Sequence, residues 1–409
     1  MDPEAGDLIA PMKDDGGAMV AAAVVARSRE TTTSTGEESK AMNVTPIYLQ
    51  ASACQLGYTT TFGKVYDEKK VTEYVRTIEE RLALVGAPPL KRFLGVGFPE
   101  PVKDSRKAGV VNDWGWVSAD ARKATGVPAG EPLLQRSVSN MDGNVDLKGN
   151  MLLAWLHAVE EEVKHGLSND EEGRPWFVLI DHNAAHHVSA PMVHHGFKHA
   201  RSGAMRVLVN FDFHADADGA TNKGPESIAR CDNWAGFMTQ AVSGVHDAPV
   251  VDASVNFGVS SGFDAKVSGN LGDGKFQFSR DRKRMKRIWE EAGWKPEPPP
   301  SVTQQLQWVM QQMGNPLIDF YISCDRDFMI GSYTPWGDGS QEPPAGRAAI
   351  REALAYFAEY GAKLVGFDIV GLPAEGGVSK KMMTREGYLD QAYEDIRDLF
   401  QAVRDYPDR

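Results

Sequence analysis

Apolar and polar positions alternate along this chain in blocks of two different periods. Four runs, at residues 175–180, 207–211, 317–324 and 363–367, are apolar almost throughout and rich in β-branched and aromatic residues. That is the pattern of strands buried on both faces. Each run ends in an acid: Asp181, Asp212, Asp325 and Asp368. Between them lie segments with helical spacing. Residues 68–85 place Val71, Tyr74, Val75, Ile78, Leu82 and Leu84 mostly on one face. Residues 151–167 carry a stripe of Leu152, Leu153, Leu156, Val159 and Val163, with Gly166 suited to the end. Residues 301–313 form a helix broken by Gly314, residues 347–360 one capped by Gly361, and residues 389–403 the last. Order is expected from residue 46, with a strand near 92–97, partial helix over 186–199, loop over 220–236 and a β-rich run at 250–260. Helices alternating with strands imply a parallel sheet with helices on both faces, an α/β fold.

Two stretches interrupt the alternation. Residues 98–146 are irregular and rich in Gly, Pro, Asp and Ser, which suits a long ordered loop or lid as well as regular structure, and residues 262–300 read as a surface excursion with a basic helix and a Pro-rich stop. Residues 1–44 read as a disordered leader. Their Ala, Arg, Ser and Thr content allows an organelle transit peptide, but Glu4, Asp14 and Asp15 oppose it. The domain is then a single unit over residues 45–409 with insertions near 98–146 and 262–300. A net charge of −12 argues against a nucleic-acid or anionic-membrane surface. Three separated cysteines form neither a disulfide framework nor a CxxC site, which points to a reducing, cytoplasmic setting. No apolar run approaches a membrane span.

The strand at 207–211 changes character abruptly, running into Asp212-Phe-His214-Ala-Asp216. Taken alone, this is either a solvated acidic loop with an incidental histidine or a ligand set. Carboxylate oxygen with imidazole nitrogen suits Mn, Fe or Zn better than Ca. In a parallel sheet the carboxyl ends of the strands share one edge, where ligands bind, so acids from separate strands can converge there. Four acidic strand ends favour one site. Seven of the ten histidines lie from His182 to His214. His182 and His214 each sit beside a strand-end acid, and Asp325-Arg-Asp327 repeats the alternate spacing that points two carboxylates the same way. The inventory His182, Asp212, His214, Asp216, Asp325 and Asp327 can serve two metals, which would make a bridging water acidic enough to ionise near neutral pH.

With Asp181-His182 upstream and Ser323-Cys-Asp325-Arg-Asp327 downstream, this pattern resembles the metal signature of the arginase/deacetylase (ureohydrolase) superfamily, over about residues 175–375. The resemblance implies a three-layer α/β/α fold and two Mn²⁺ per chain, with Zn²⁺ or Fe²⁺ as alternatives, hydrolysing a C–N bond other than a peptide bond. It implies that His182 and Asp216 bind one metal, His214 and Asp327 the other, and that Asp212 and Asp325 bridge. A divergent branch is indicated by Asn233-Trp234 after a polar loop and by Phe328 after the second acid pair. Two features depart from arginases. Asp368-Ile-Val-Gly371 has glycine where they carry the Glu that grips a guanidinium, and no histidine shortly follows the central motif, the next being His246. Asp368, Asn233 and Trp234 are therefore the substrate-binding candidates. His186 and His187, with Asp216, are the catalytic ones, since imidazole suits proton transfer near pH 7; local packing is the other reading of the two histidines. The expected activity is metal-dependent hydrolysis of a linear amide, amidine or guanidino C–N bond in a small molecule. The alternatives are a mononuclear zinc deacetylase using Asp212, His214 and Asp325, and a non-catalytic metal-stabilised scaffold. The resemblance also allows a homo-oligomer.

Overall fold

A computed structural model describes residues 41–50, 68–94, 110–111, 134–136, 145–148, 160–161, 163–180, 186, 188–212, 216, 228–229, 234–239, 249–257, 270–272, 275–279, 301–329, 333–334, 337–338, 343–371 and 388–408. The strands are β1 (Thr45–Gln50), β2 (Lys91–Leu94), β3 (Val110–Val111), β4 (Leu134–Arg136), β5 (Val145–Lys148), β6 (Trp176–Ile180), β7 (Met205–Phe211), β8 (Ile228–Ala229), β9 (Ala253–Phe257), β10 (Asn270–Gly272), β11 (Lys275–Ser279), β12 (Ile318–Asp325), β13 (Tyr333–Thr334), β14 (Gly337–Asp338) and β15 (Lys363–Val370). The helices are α1 (Glu68–Ala83), α2 (Asn169–Glu172), α3 (Ser189–Lys198), α4 (Trp234–Met238), α5 (Val302–Gln312), α6 (Arg326–Met329), α7 (Pro343–Tyr360) and α8 (Tyr388–Arg404).

Nine strands form the main sheet in the order β10-β11-β9-β7-β12-β15-β6-β1-β2. Every neighbouring pair is parallel except β10 with β11. The central strands β6, β7, β12 and β15 are the four apolar runs that end in acids, and they lie side by side. Their side chains alternate between two covered faces. Phe177, Leu179, Val207, Val209, Phe211, Phe320, Ile322, Cys324, Phe367 and Ile369 join a core with α1, α5, α7 and α8. The intervening residues, including Asn210, Tyr321, Ser323 and Asp368, face the side covered by α3. Helices thus flank the sheet on both sides, giving the three-layer α/β/α architecture. α5 begins at a capping box, in which the Ser301 hydroxyl accepts from the Gln304 N–H and the Gln304 side chain accepts from the Ser301 N–H.

Several boundaries need correction. Residues 41–44, expected in a disordered leader, are packed in place: the Met42 N–H donates to the Arg404 carbonyl, Met42 and Val44 are buried, and Ala41 bridges to Pro407. Within the 98–146 stretch, β3, β4 and β5 form a small antiparallel sheet completed by β8. Part of the supposed surface excursion belongs to the main sheet, because β11 pairs with β9 in parallel. The loop expected over 220–236 contains β8 and the start of α4. Short strands such as these lack enough residues to show a period. No helix among the described residues is long and apolar enough to cross a membrane.

Candidate metal centre

Three carboxylates converge on one imidazole at the carboxyl edge of the sheet. Asp212 directly follows β7, and its N–H is fixed by the Phe257 carbonyl at 2.9 Å. Asp325 is the last residue of β12, the strand beside β7. Asp216 lies four residues beyond Asp212 with φ of +49°, a left-handed backbone rare outside glycine, although aspartate tolerates it better than most residues. His186 precedes α3. Its Nδ1 is 2.7 Å from Asp216 Oδ2, 3.1 Å from Asp212 Oδ2 and 3.7 Å from Asp325 Oδ2. All four side chains are at most 6% exposed.

The other side of the His186 ring is held just as closely. Its Nε2 is 2.9 Å from Ser323 Oγ. Ser323 donates to Asp368 Oδ1 at 2.7 Å, Tyr321 donates to Asp368 Oδ2 at 3.0 Å, and Ser189 at the start of α3 lies 3.3 Å from Ser323 Oγ. Tyr321, Ser323 and Asp325 are alternate residues of β12 and therefore share a face. One strand supplies the acid and the support for the histidine opposite it.

Burial by itself lowers the pKa of His186, but the charges and hydrogen bonds of Asp216 and Asp212 outweigh it and hold the imidazole well above its ordinary range. Burial pushes Asp368 up to about 6, against the lowering influence of His186, Ser323 and Tyr321. Burial and the neighbouring Asp368 push the Tyr321 hydroxyl upward as well.

The donor set decides what this arrangement suits. Among the described residues, three buried carboxylates meet one imidazole, and oxygen and nitrogen donors are the set that Mn, Fe and Zn accept. One ligand atom each from His186, Asp212 and Asp216 lie within 4.8 Å of one another, all from buried residues. The residues present fit a metal.

Of the residues singled out from sequence, Asp212, Asp216, Asp325 and His186 come together. His182, His187, His214 and Asn233 lie outside the described residues. Asp327 lies in α6, but its side chain lies outside them. Two expected substrate contacts are placed differently. Asp368 is fully buried with both oxygens accepting hydrogen bonds, so it backs His186. Trp234 is 1% exposed and donates its indole N–H to Asp216 Oδ2 at 2.7 Å. Gly371 has φ of +83° and donates its N–H to the Ile180 carbonyl, a conformation that glycine adopts without strain. Tyr321 and Ser189 join the site beside Ser323, the first residue of the second acidic motif. The signal for Tyr321 and Ser323 was their alternate spacing with Asp325.

No family model matches the chain, and no curated protein does. Among solved structures the chain is similar to an arginase from Entamoeba histolytica in complex with L-ornithine, at 11% identity and a TM-score of 0.45, covering 88% of this chain and 99% of that one. It is similar to a formimidoylglutamase from Bacillus subtilis subsp. subtilis str. 168, at 11% identity and a TM-score of 0.44, covering 90% and 88%. A proclavaminate amidino hydrolase from Streptomyces clavuligerus gives 13% identity and a TM-score of 0.40, covering 90% and 93%. At such distances the function is read from the site's own residues.

Proposed function

We propose that this chain is a metal-dependent hydrolase of a linear C–N bond of amide, amidine or guanidino type, with manganese as the metal. One observation carries the reading: among the described residues, three buried carboxylates from the ends of the neighbouring strands β7 and β12 face one imidazole. His186 through Nδ1, with Asp212, Asp216 and Asp325, would hold the first cation. His214 and Asp327, with the same Asp212 and Asp325, are the residues for a second. When bound, divalent cations supply Lewis acidity and a water nucleophile near neutral pH.

The chain's own residues do the positioning. Ser323 and Asp368 keep His186 oriented, so in this reading His186 is a ligand and no longer a proton shuttle. Both of its ring nitrogens have fixed partners and the ring is 2% exposed. His187, the other catalytic candidate of the sequence, takes the proton-transfer role in this reading. Asp368, held behind His186, does not grip a substrate cation, and Gly371 offers no carboxylate.

The test is metal content per chain after purification without chelator, for the natural protein and for Asp212→Asn, followed by a screen of amide, amidine and guanidino compounds with manganese. Two equivalents of metal that fall below one in the variant, with turnover of any of these compounds, support the proposal. One equivalent points to a mononuclear centre. No metal in either protein, with equal melting temperatures, overturns it.

A further inference from the structure

The proposed cation site depends on how Asp216 is presented, and α4 touches that residue at two points. Asp216 has a left-handed backbone, which must be held by its surroundings. Two contacts from α4 do so. The Trp234 indole N–H donates to Asp216 Oδ2 at 2.7 Å, and the Gly236 backbone N–H donates to the Asp216 carbonyl at 3.2 Å. The Trp234 ring also lies 5.0 Å from the His186 ring, at an interplanar angle of 49°. One side chain thus borders two members of the cluster.

The chemistry of indole explains why this type of residue suits the place. It is a donor only: it has no lone pair to offer a cation and no proton to lose in the accessible pH range. A histidine, serine or asparagine here could itself become a ligand. An indole can hold a carboxylate oxygen without competing for what that carboxylate binds. Its apolar body excludes water, and a hydrogen bond to a charged group in such surroundings is stronger than one in water. At 1% exposure, with its only polar atom engaged, Trp234 has nothing left with which to meet a substrate.

We propose that Trp234 is a positioning residue for the cation site: its N–H fixes the orientation of Asp216 toward His186 and Asp212, and with it the affinity for metal. This role rests on the metal-centre reading above. The change that isolates it is Trp234→Phe, which keeps an aromatic ring against His186 and removes the N–H. A control is Thr239→Ala. Thr239 donates to the Gly236 carbonyl at 2.8 Å, so its loss loosens the end of α4 without touching the indole.

The experiment is Mn²⁺ titration of the full chain, with free Mn²⁺ read by electron paramagnetic resonance, alongside the melting temperature of each metal-free protein. Loss of a supporting hydrogen bond to a metal ligand weakens affinity by about 10–100-fold. That loss is expected for Trp234→Phe, with Thr239→Ala close to the natural protein. Equal affinity for Trp234→Phe and the natural protein overturns the role of Trp234 and leaves the metal centre standing. So does an equal loss in both variants, because the packing of α4 would then account for it. Failure of the natural protein to bind Mn²⁺ overturns the metal-centre reading, and the role of Trp234 with it.

Discussion

Oγ of Ser323 lies 2.9 Å from Nε2 of His186, on the side of the ring away from the carboxylates. The serine hydrogen is directed to Asp368, 2.7 Å away. The serine therefore presents a lone pair to the imidazole, and Nε2 must carry the hydrogen. A neutral His186 then has its own lone pair on Nδ1, the nitrogen that faces Asp212, Asp216 and Asp325. The tautomer required of a metal ligand is set from behind, through Ser323, by an acid on the adjacent strand β15.

Removing that support should weaken metal binding more than it weakens the fold. In Ser323→Ala the hydroxyl is lost at a position that is 0% exposed, and Nε2 is left without its acceptor. Outer partners of metal-binding histidines typically contribute about 10–100-fold to affinity. That loss in Mn²⁺ affinity is expected, with the metal-free melting temperature lowered by only a few degrees. Titration calorimetry beside thermal unfolding checks it. An unchanged affinity would mean that the tautomer is fixed by other means.

Much of this arrangement is visible in the sequence, and the missing parts have physical reasons. The four central strands announce themselves because burial on both faces makes them continuously apolar, and their terminal acids stand out against that background. Their convergence follows from parallel pairing alone. Which histidine meets the acids does not follow, because His182 and His186 both come within a few residues of the end of β6 in the sequence. The roles of Asp368 and Trp234 were hidden for a related reason. A polar residue beside a site reads the same whether it faces the ligand or the ligand's partners. The strands β3, β4, β5 and β8 are too short to carry a period, so the sequence leaves regular structure open over 98–146 and reads the β8 segment as loop.

At the other end of α3 a second charged cluster holds the helix that His186 leads into. The Glu160 side chain is fully buried. It accepts from Lys198 at 2.7 and 2.8 Å, lies 2.9 Å from Lys164 Nζ, and is 3.2 Å from Nδ1 of both His194 and His195. Burial alone would raise its pKa, but the hydrogen bonds from these four residues outweigh burial and hold the carboxyl well below the usual range. A depressed folded-state pKa means stability that is complete above the unfolded value of about 4.5 and is lost as pH falls below it. Glu160→Gln should remove that contribution. Breaking a buried ionic network costs about 3–5 kcal/mol, with the lower end expected here because Lys198 can turn to water. Denaturant unfolding from pH 7 down to pH 3 checks this: the natural protein and the variant should differ most at neutral pH and approach each other in acid. A constant difference would mean that Glu160 acts by packing and not by charge.

The same face of the sheet makes a strict demand at Gly366 in β15. A Cβ built there would lie 2.8 Å from Cδ2 of the Tyr321 ring, closer than carbon atoms approach without displacement. Gly196 on α3 lies against the same ring, with its own Cβ position 3.2 Å from Tyr321 Cδ2 and 3.0 Å from the Val365 carbonyl. Tyr321 is thus wedged between a strand and a helix that both give way to it, and its hydroxyl reaches Asp368 only from that slot. Gly366→Ala should displace the ring, lengthen the bond to Asp368 and destabilise the protein by about 1–3 kcal/mol, the usual range for overpacking. Because the fault lies between two side chains, the effects should not add. In a Tyr321→Ala background the same Gly366→Ala change should cost little, and a double-mutant cycle on unfolding free energies measures the difference. Additive losses would show that residue 366 needs glycine for its backbone and not for the ring above it.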